Sequence, residues 1–178
     1  MIIMINGSFG VGKTTTAQEM VKSIPNALLY DPEIIGFAVR EITKDARLPE
    51  EETSDFQDIA MWRPLVINAA EQLANRYHRP LIVPMTLANL TYLDEIRNGF
   101  KSFDSQVYHV CLTASLPTIH KRLAERGDGD KLWALNKAVE YVPMFSDARF
   151  SQHIDTEQQT IAEVVATILQ YIALPPTI

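Results

Sequence analysis

Gly7-Ser8-Phe9-Gly10-Val11-Gly12-Lys13-Thr14 fits the spacing Gly-x-x-x-x-Gly-Lys-[Ser/Thr] and directly follows an apolar run, Met1-Ile2-Ile3-Met4-Ile5. That order calls for a buried strand, a tight glycine turn and then a helix. Glycine accepts positive φ without a Cβ clash, so successive backbone N–H groups of the turn can converge on a polyphosphate, and the following helix adds the positive end of its dipole. In such a turn Gly7, Phe9, Gly10, Val11 and Gly12 form the cradle, and Thr15 follows on the first turn of the helix. Lys13 reaches the β and γ phosphates, and the Thr14 hydroxyl holds Mg²⁺. A glycine turn before a helix is common. One that also supplies Lys-Thr at this offset, after a strand, points to a nucleoside triphosphate, with ATP as the expected ligand.

Length and charge narrow the class further. The chain has 178 residues, which suits one domain over 1–178 with a sizeable core. Its net charge is -6 and its pI about 5.2, and its longest like-charge run is Glu50-Glu51-Glu52. A nucleic-acid partner is therefore not expected, because a phosphate-backbone binder needs a basic face. Cys111 is the single cysteine and sits in an apolar run, so no intrachain disulfide is possible. The opening apolar run is too short for a signal peptide, and nothing approaches the ~18 apolar residues of a membrane span. A cytoplasmic location is expected, with peripheral membrane association left open, and the chain is expected as a monomer or homodimer.

In chain order, a first helix is predicted over 13–24, with Ala17, Met20, Val21 and Ile24 on one face. A short strand over 27–30 stops at Asp31-Pro32. A helix over about 34–46 carries Phe37 and Arg40, and an exposed acidic connection over 48–58 leads to a helix predicted over 59–77. A third strand, 81–85, places Pro84 at its end. A helix over 91–103, a strand over 107–112 and a helix from the Ser115 cap to Arg126 come next. Gly127-Asp128-Gly129-Asp130 breaks the pattern as a small lid over about 127–131. A helix over 131–146, a strand over 153–155 and a helix over 160–173 complete the chain, which Pro175-Pro176 ends. Strands alternating with helices give a five-stranded parallel sheet covered by helices on both faces, a three-layer α/β fold.

Ligands of open parallel sheets bind beyond the carboxyl ends of the strands, so Asp31 falls near the phosphates. It can orient Mg²⁺ or accept the proton of an attacking hydroxyl, and Asp-Pro is also a frequent turn. Arg122 and Arg126 share a helix face, where one can stack on a base and the other can stabilise a transferring phosphate. Asp55, Gln57, Trp62 and Arg63 cluster at a helix start and suit an acceptor pocket, although Asp58 can cap that helix while Trp62 packs in the core. Thr86, at the end of the third strand, is a further candidate. His78, His109, His120 and His153 show no metal-binding spacing.

These stretches together resemble a family. Strand, Gly-x-x-x-x-Gly-Lys-Thr, helix, Arg122-x-x-x-Arg126 on a lid helix and a loop with Asp155 and Thr156 after the fifth strand are similar to the small P-loop kinases, nucleotide-kinase-like in fold. More narrowly, Tyr30-Asp31-Pro32-Glu33-Ile34-Ile35-Gly36-Phe37, Asp55-Phe56-Gln57-Asp58 with Trp62-Arg63, Val83-Pro84-Met85-Thr86 and His153-Ile154-Asp155-Thr156 resemble the tunicamycin resistance protein group. The resemblance implies an ATP-dependent, Mg²⁺-assisted phosphotransferase acting on a hydroxyl of a small nucleoside-like or glycosidic compound. The other reading is an ATP-gated drug-binding ATPase that transfers no phosphate to the drug. On the kinase reading Lys13, Asp31 and Arg126 are catalytic, with Asp31 as acceptor base. Arg122, Asp155 and Thr156 join the glycine loop around the nucleotide. Asp31, Phe37, Arg40, Asp55, Gln57, Trp62, Arg63 and Thr86 hold the small-molecule acceptor. The kinase pattern also leads one to expect a second acidic residue after Asp31, where this chain has Pro32.

Lys13→Ala is expected to abolish ATP turnover and leave the fold intact. Turnover and far-ultraviolet circular dichroism measured together check both halves.

Overall fold

The computed structural model describes residues 1–127, 132–150 and 152–173. Its elements are β1 (Ile2–Gly7), α1 (Lys13–Ser23), β2 (Leu28–Leu29), α2 (Pro32–Thr43), α3 (Trp62–Tyr77), β3 (Leu81–Pro84), α4 (Leu90–Lys101), β4 (Val107–Thr113), α5 (Leu116–Glu125), α6 (Leu132–Met144), β5 (His153–Asp155) and α7 (Ile161–Ala173). The strands form one parallel sheet of five in the order β2-β3-β1-β4-β5. The expected α/β architecture is therefore the one observed. Most of the lid expected over 127–131 and the Pro175-Pro176 ending lie outside the described residues.

β1 is the axis. Ile2, Ile3, Met4 and Ile5 are all fully buried, as a strand covered on both faces requires. Successive side chains point to opposite faces, so Ile2 and Met4 join Leu81, Val83, Trp62 and Phe100 in one core. Ile3 and Ile5 join Ile82, Val110, Leu112, Met20 and Ile168 in the other. Each such side chain contributes about 1.5–3 kcal/mol on burial, which makes this short hydrophobic run the main anchor between the layers.

The strand order puts β3 on one side of β1 and β4 on the other. The crossovers diverge there, opening a crevice at the carboxyl end of β1 where the glycine turn begins. Asn6, fully buried, ties that end together. Its Oδ1 accepts from the amides of Gly7 (2.9 Å) and Leu87 (2.9 Å), and its Nδ2 donates to the Leu87 carbonyl (3.0 Å).

Two element starts differ from the sequence expectation. α2 begins at Pro32 instead of Ile34, because Asp31 serves as its N-cap, accepting from Glu33 N at 3.0 Å, with proline in the first turn. α3 begins at Trp62 instead of 59, because a 3-10 turn over Phe56–Asp58 intervenes, capped by Asp55. Asp58 does not cap α3: it accepts from Thr53 Oγ1 (2.8 Å) and Tyr92 Oη (3.1 Å).

Asn6→Ala removes these three hydrogen bonds and strands buried backbone groups of Gly7 and Leu87. At about 1–3 kcal/mol for each buried group left unpaired, the loss should exceed about 3 kcal/mol in urea unfolding.

Candidate functional site

The glycine turn leaves β1 under tight restraint. Gly7 has φ 140°, and a Cβ there would lie 2.5 Å from the Leu112 carbonyl oxygen of β4, so only glycine lets the chain pass. Gly12, at φ 107°, is the N-cap of α1. It offers no side-chain cap, and the first turn of α1 carries no acidic residue. The first amides of α1 are thus left without a side-chain acceptor, which suits a bound anion.

These amides open onto a cleft of about 760 Å³. Phe9, Gly10, Val11, Gly12, Lys13, Thr14 and Thr15 form its floor, as expected from the sequence, while Gly7 shapes the turn from beneath. Lys13 Nζ donates to the Ser8 carbonyl at 2.8 Å and stands 5.6 Å from the centre of the Phe9 ring. Burial lowers its pKa to about 8, opposed by the Glu33 charge and reinforced by Arg126.

α5 and the loop after β5 make the opposite wall. Arg122 lines the cleft and also holds it together: its guanidinium donates to Thr156 Oγ1 (2.9 Å), the Thr156 carbonyl (2.7 Å) and the Val11 carbonyl (3.4 Å). Thr156 is buried and lies on the wall. Asp155 is off the wall, its Oδ1 accepting from Glu157 N at 2.9 Å. In its place Gln159, Thr160 and Ile161 face the cleft. They lie in a polar stretch before α7 with no motif to mark them. Arg126 caps the end of α5 and faces the cleft.

A second cavity of about 350 Å³ adjoins the first, sharing Phe9, Glu33, Thr86 and Trp133 with it. Phe37, Arg40, Asp55, Gln57 and Thr86 all line it, so this part of the expected acceptor set converges in space. Gln57 Nε2 donates to the Thr86 carbonyl at 2.7 Å, joining the 3-10 turn to the end of β3. Asp55 Oδ1 accepts from Gln57 N at 2.9 Å, and Tyr141 Oη approaches Asp55 Oδ2 at 3.5 Å. Burial raises the Asp55 pKa, with Asp58 adding to it and the Gln57 amide opposing.

Trp62 and Arg63 lie outside this cavity. Trp62 is 1 % exposed and donates Nε1–H to the Pro32 carbonyl at 3.2 Å, so it packs under α2. Arg63 pairs with Glu95 at 2.6 Å and lies over the Tyr92 ring at 4.2 Å. One turn of helix separates the pocket-facing side of this segment from its core-facing side. The 3-10 turn before Trp62 sets which is which.

Asp31 lies beside the phosphate loop. It lines a small recess of about 40 Å³ with Lys13, Thr14 and Glu33, and not the aromatic cavity. A second acidic residue is in fact present, two positions on: Glu33 lines the cleft, the recess and the aromatic cavity. Pro32 does not prevent this, because it starts α2 and so turns residue 33 toward the phosphate loop. Partial withdrawal from water raises the Glu33 pKa; Asp31 adds to this, while Lys13 and Arg126 oppose it. Glu33, Trp133 and Tyr141 were not legible as site residues in the sequence. Glu33 hid behind the Asp-Pro turn, and the two aromatics sit on a helix whose pattern reads as ordinary core.

The Lys13 shift has a consequence for stability. Below pH 8 folding places a charged ammonium in a poor site; between pH 8 and about 10.5, the ordinary lysine value, the folded state sheds that proton first. Relative to Lys13→Met, the wild-type protein should therefore gain stability as pH rises from 7.5 to 9.5. Parallel urea titrations of both proteins at the two pH values check the sign.

Among the described residues no helix is long and apolar enough to cross a membrane. The model of the AAA domain family matches residues 3–143. Among curated proteins no relative matches. Among solved structures, the chain is similar to the tunicamycin resistance protein of Deinococcus radiodurans, with 27% identity, 98% of this chain and 96% of that one covered, and a TM-score of 0.78. It shares its fold with a gluconokinase from Sinorhizobium meliloti (18% identity, 96% and 90% covered, TM-score 0.66). The same holds for a shikimate kinase from Acinetobacter baumannii (19% identity, 97% and 92% covered, TM-score 0.60). A matching family model over most of the chain and a glycine cradle at the carboxyl end of a central parallel strand lead to one assignment: the chain belongs to the AAA domain family, with the fold of the kinase-like P-loop NTPases.

Proposed function

We propose that the chain is an ATP-dependent phosphotransferase acting on a hydroxyl of a small nucleoside-like or glycosidic compound. The observation that carries this reading is the position of Glu33, on the shared wall between the phosphate cleft and the aromatic cavity. A carboxylate there meets both an incoming hydroxyl and the group to be transferred. A sequestering ATPase needs a carboxylate only for its water, in the phosphate cleft, and has no need of one that also faces a second cavity.

The residues present fit ATP and Mg²⁺. The uncapped amides of α1 and the glycine turn accept an anion, and the exposed Thr14 hydroxyl, with Asp31 in the same recess, offers oxygen to a cation. When bound, ATP supplies the phosphoryl group and Mg²⁺ neutralises its charge. Lys13 would exchange its contact with the Ser8 carbonyl for phosphate oxygens, whose negative charge would favour its protonated form and offset the burial that lowers its pKa to about 8. Arg126, on the opposite wall, balances negative charge that builds during transfer. Glu33 accepts the proton of the acceptor hydroxyl. Its raised pKa brings it closer to the working pH, which favours general-base catalysis. Asp31 is left to cap α2 and to face the cation, so the base role falls to Glu33. Phosphoryl transfer needs positioning and charge balance above all, and the walls supply both.

Glu33→Gln should lower kcat about 100-fold while nucleotide affinity stays within a few-fold of wild type. Asp31→Asn should instead weaken binding of the Mg²⁺–nucleotide complex. Product is read by mass spectrometry of a hydroxyl-compound panel incubated with ATP. ADP release without any phosphorylated product would overturn the transferase reading in favour of sequestration.

A further inference from the structure

The aromatic cavity carries a chemical selectivity that the phosphate cleft does not. Phe9, Phe37, Phe56, Trp133 and Tyr141 contribute rings to its walls. Phe37 is 59% exposed and Trp133 50% exposed, both at the cavity and from different helices. Rings left open on a concave surface offer a flat, weakly polar partner a large contact area at little entropic cost.

The polar groups among these rings are mainly acceptors. Asp55 and Glu33 are carboxylates, and an ionised carboxylate only accepts hydrogen bonds. Asp55 Oδ1 is engaged by the Gln57 amide, which leaves Oδ2 for a donor from a ligand, beside the 3.5 Å approach of Tyr141 Oη. Among the described residues Arg40 is the one cation that lines this wall; it donates to the Ser54 carbonyl, and its guanidinium lies 5.4 Å from the Phe56 ring centre. The Thr86 hydroxyl is the third relevant group: 6% exposed, without a hydrogen-bond partner among the described residues, and on the wall of both cavities. A buried hydroxyl left unpaired is costly, and a ligand hydroxyl placed there removes that cost.

We propose that this cavity selects an uncharged, ring-bearing polyhydroxy acceptor and rejects acceptors carrying a carboxylate, with Asp55 as the residue that sets the charge preference. The proposal rests on reading the cavity as the acceptor site. The rings hold the flat face of the ligand, Asp55 accepts from a ligand hydroxyl, and Thr86 pairs with the hydroxyl nearest the phosphate cleft. A ligand carboxylate would stand against Asp55 and Glu33 in a partly desolvated space, where like charges repel; Arg40 and Lys137 reduce this at Asp55, Lys13 and Arg126 reduce it at Glu33, and of these four only Arg40 lines the cavity.

A matched pair of probes tests this. Phenyl β-D-glucoside and phenyl β-D-glucuronide differ only at C6, where one has a hydroxymethyl group and the other a carboxylate. Binding is read by the fluorescence of Trp133. The other tryptophan, Trp62, is buried behind Phe56, 5.4 Å between ring centres, and does not itself line the cavity. In wild-type protein without nucleotide, the glucoside should bind about tenfold more tightly than the glucuronide, the scale of one like-charge contact. In Asp55→Asn the ratio should fall to about twofold, since asparagine keeps the acceptor for the Gln57 amide and removes the charge. Glu33→Gln, at an exposed helix position, should narrow the ratio as well, and carries the test if Asp55→Asn does not fold. Equal binding of the two probes, a preference for the glucuronide, no response to either, or an unchanged ratio in both variants would overturn the proposal. No phosphoryl transfer enters the readout. A protein that selects the glucoside yet releases ADP with no phosphorylated product from any compound of the hydroxyl panel would sink the transferase reading and uphold this one.

Discussion

Everything at the carboxyl end of the sheet hangs on one buried side chain, Asn6. It lies at the end of the central strand, and its amide group satisfies backbone groups on both the glycine turn and the segment leaving β3. Buried backbone polar groups must be paired, so this single residue fixes how far apart the two segments can sit. The phosphate cradle and Thr86 are neighbours because of it. Gly7 enforces the same closeness from the other side, since β4 leaves no room for a Cβ there.

From that clamp the two cavities follow. The cradle is built almost entirely from consecutive residues, with α5 and the loop after β5 laid across it and held by Arg122. The aromatic cavity is assembled from α2, the 3-10 turn after it, the end of β3 and α6. Phe9 belongs to both. Its ring lies 5.1 Å from Trp133 and 6.0 Å from Tyr141, while Lys13 stands over it at 5.6 Å. The phosphate loop is thereby in van der Waals contact with the helix that walls the acceptor side. Glu33 stands where the two spaces meet, and its environment is a compromise between desolvation, the Asp31 charge and the opposing cations.

Asp31, Trp62 and Arg63 lie off the aromatic cavity for one kind of reason. Asp31 and Glu33 are two residues apart at a helix start, and which of them faces the aromatic cavity depends on where the helix begins. A cap at Asp31 with proline next to it turns residue 33 inward. Trp62 and Arg63 follow a 3-10 turn that the periodicity does not reveal, and that turn rotates both away from the cavity. In each case a shift of a few residues in an element boundary exchanged one side-chain direction for another.

What the sequence determined by itself was the part of the molecule that is local. The phosphate loop is legible because its chemistry requires glycine, lysine and threonine at fixed offsets after a strand. The parallel sheet is legible because strands buried on both faces must be apolar throughout, while the helices between them must be apolar on one face. Tertiary structure decided how the aromatic cavity is assembled, which of the expected residues reach it and which do not. The cavity wall joins Phe9, Glu33, Asp55, Thr86, Trp133 and Tyr141, which are separated along the chain by up to more than a hundred positions and share no spacing rule. The burial that perturbs Glu33 and Asp55, and the orientation that sends Trp62 into the core but Trp133 to the cavity, exist only once the layers have packed.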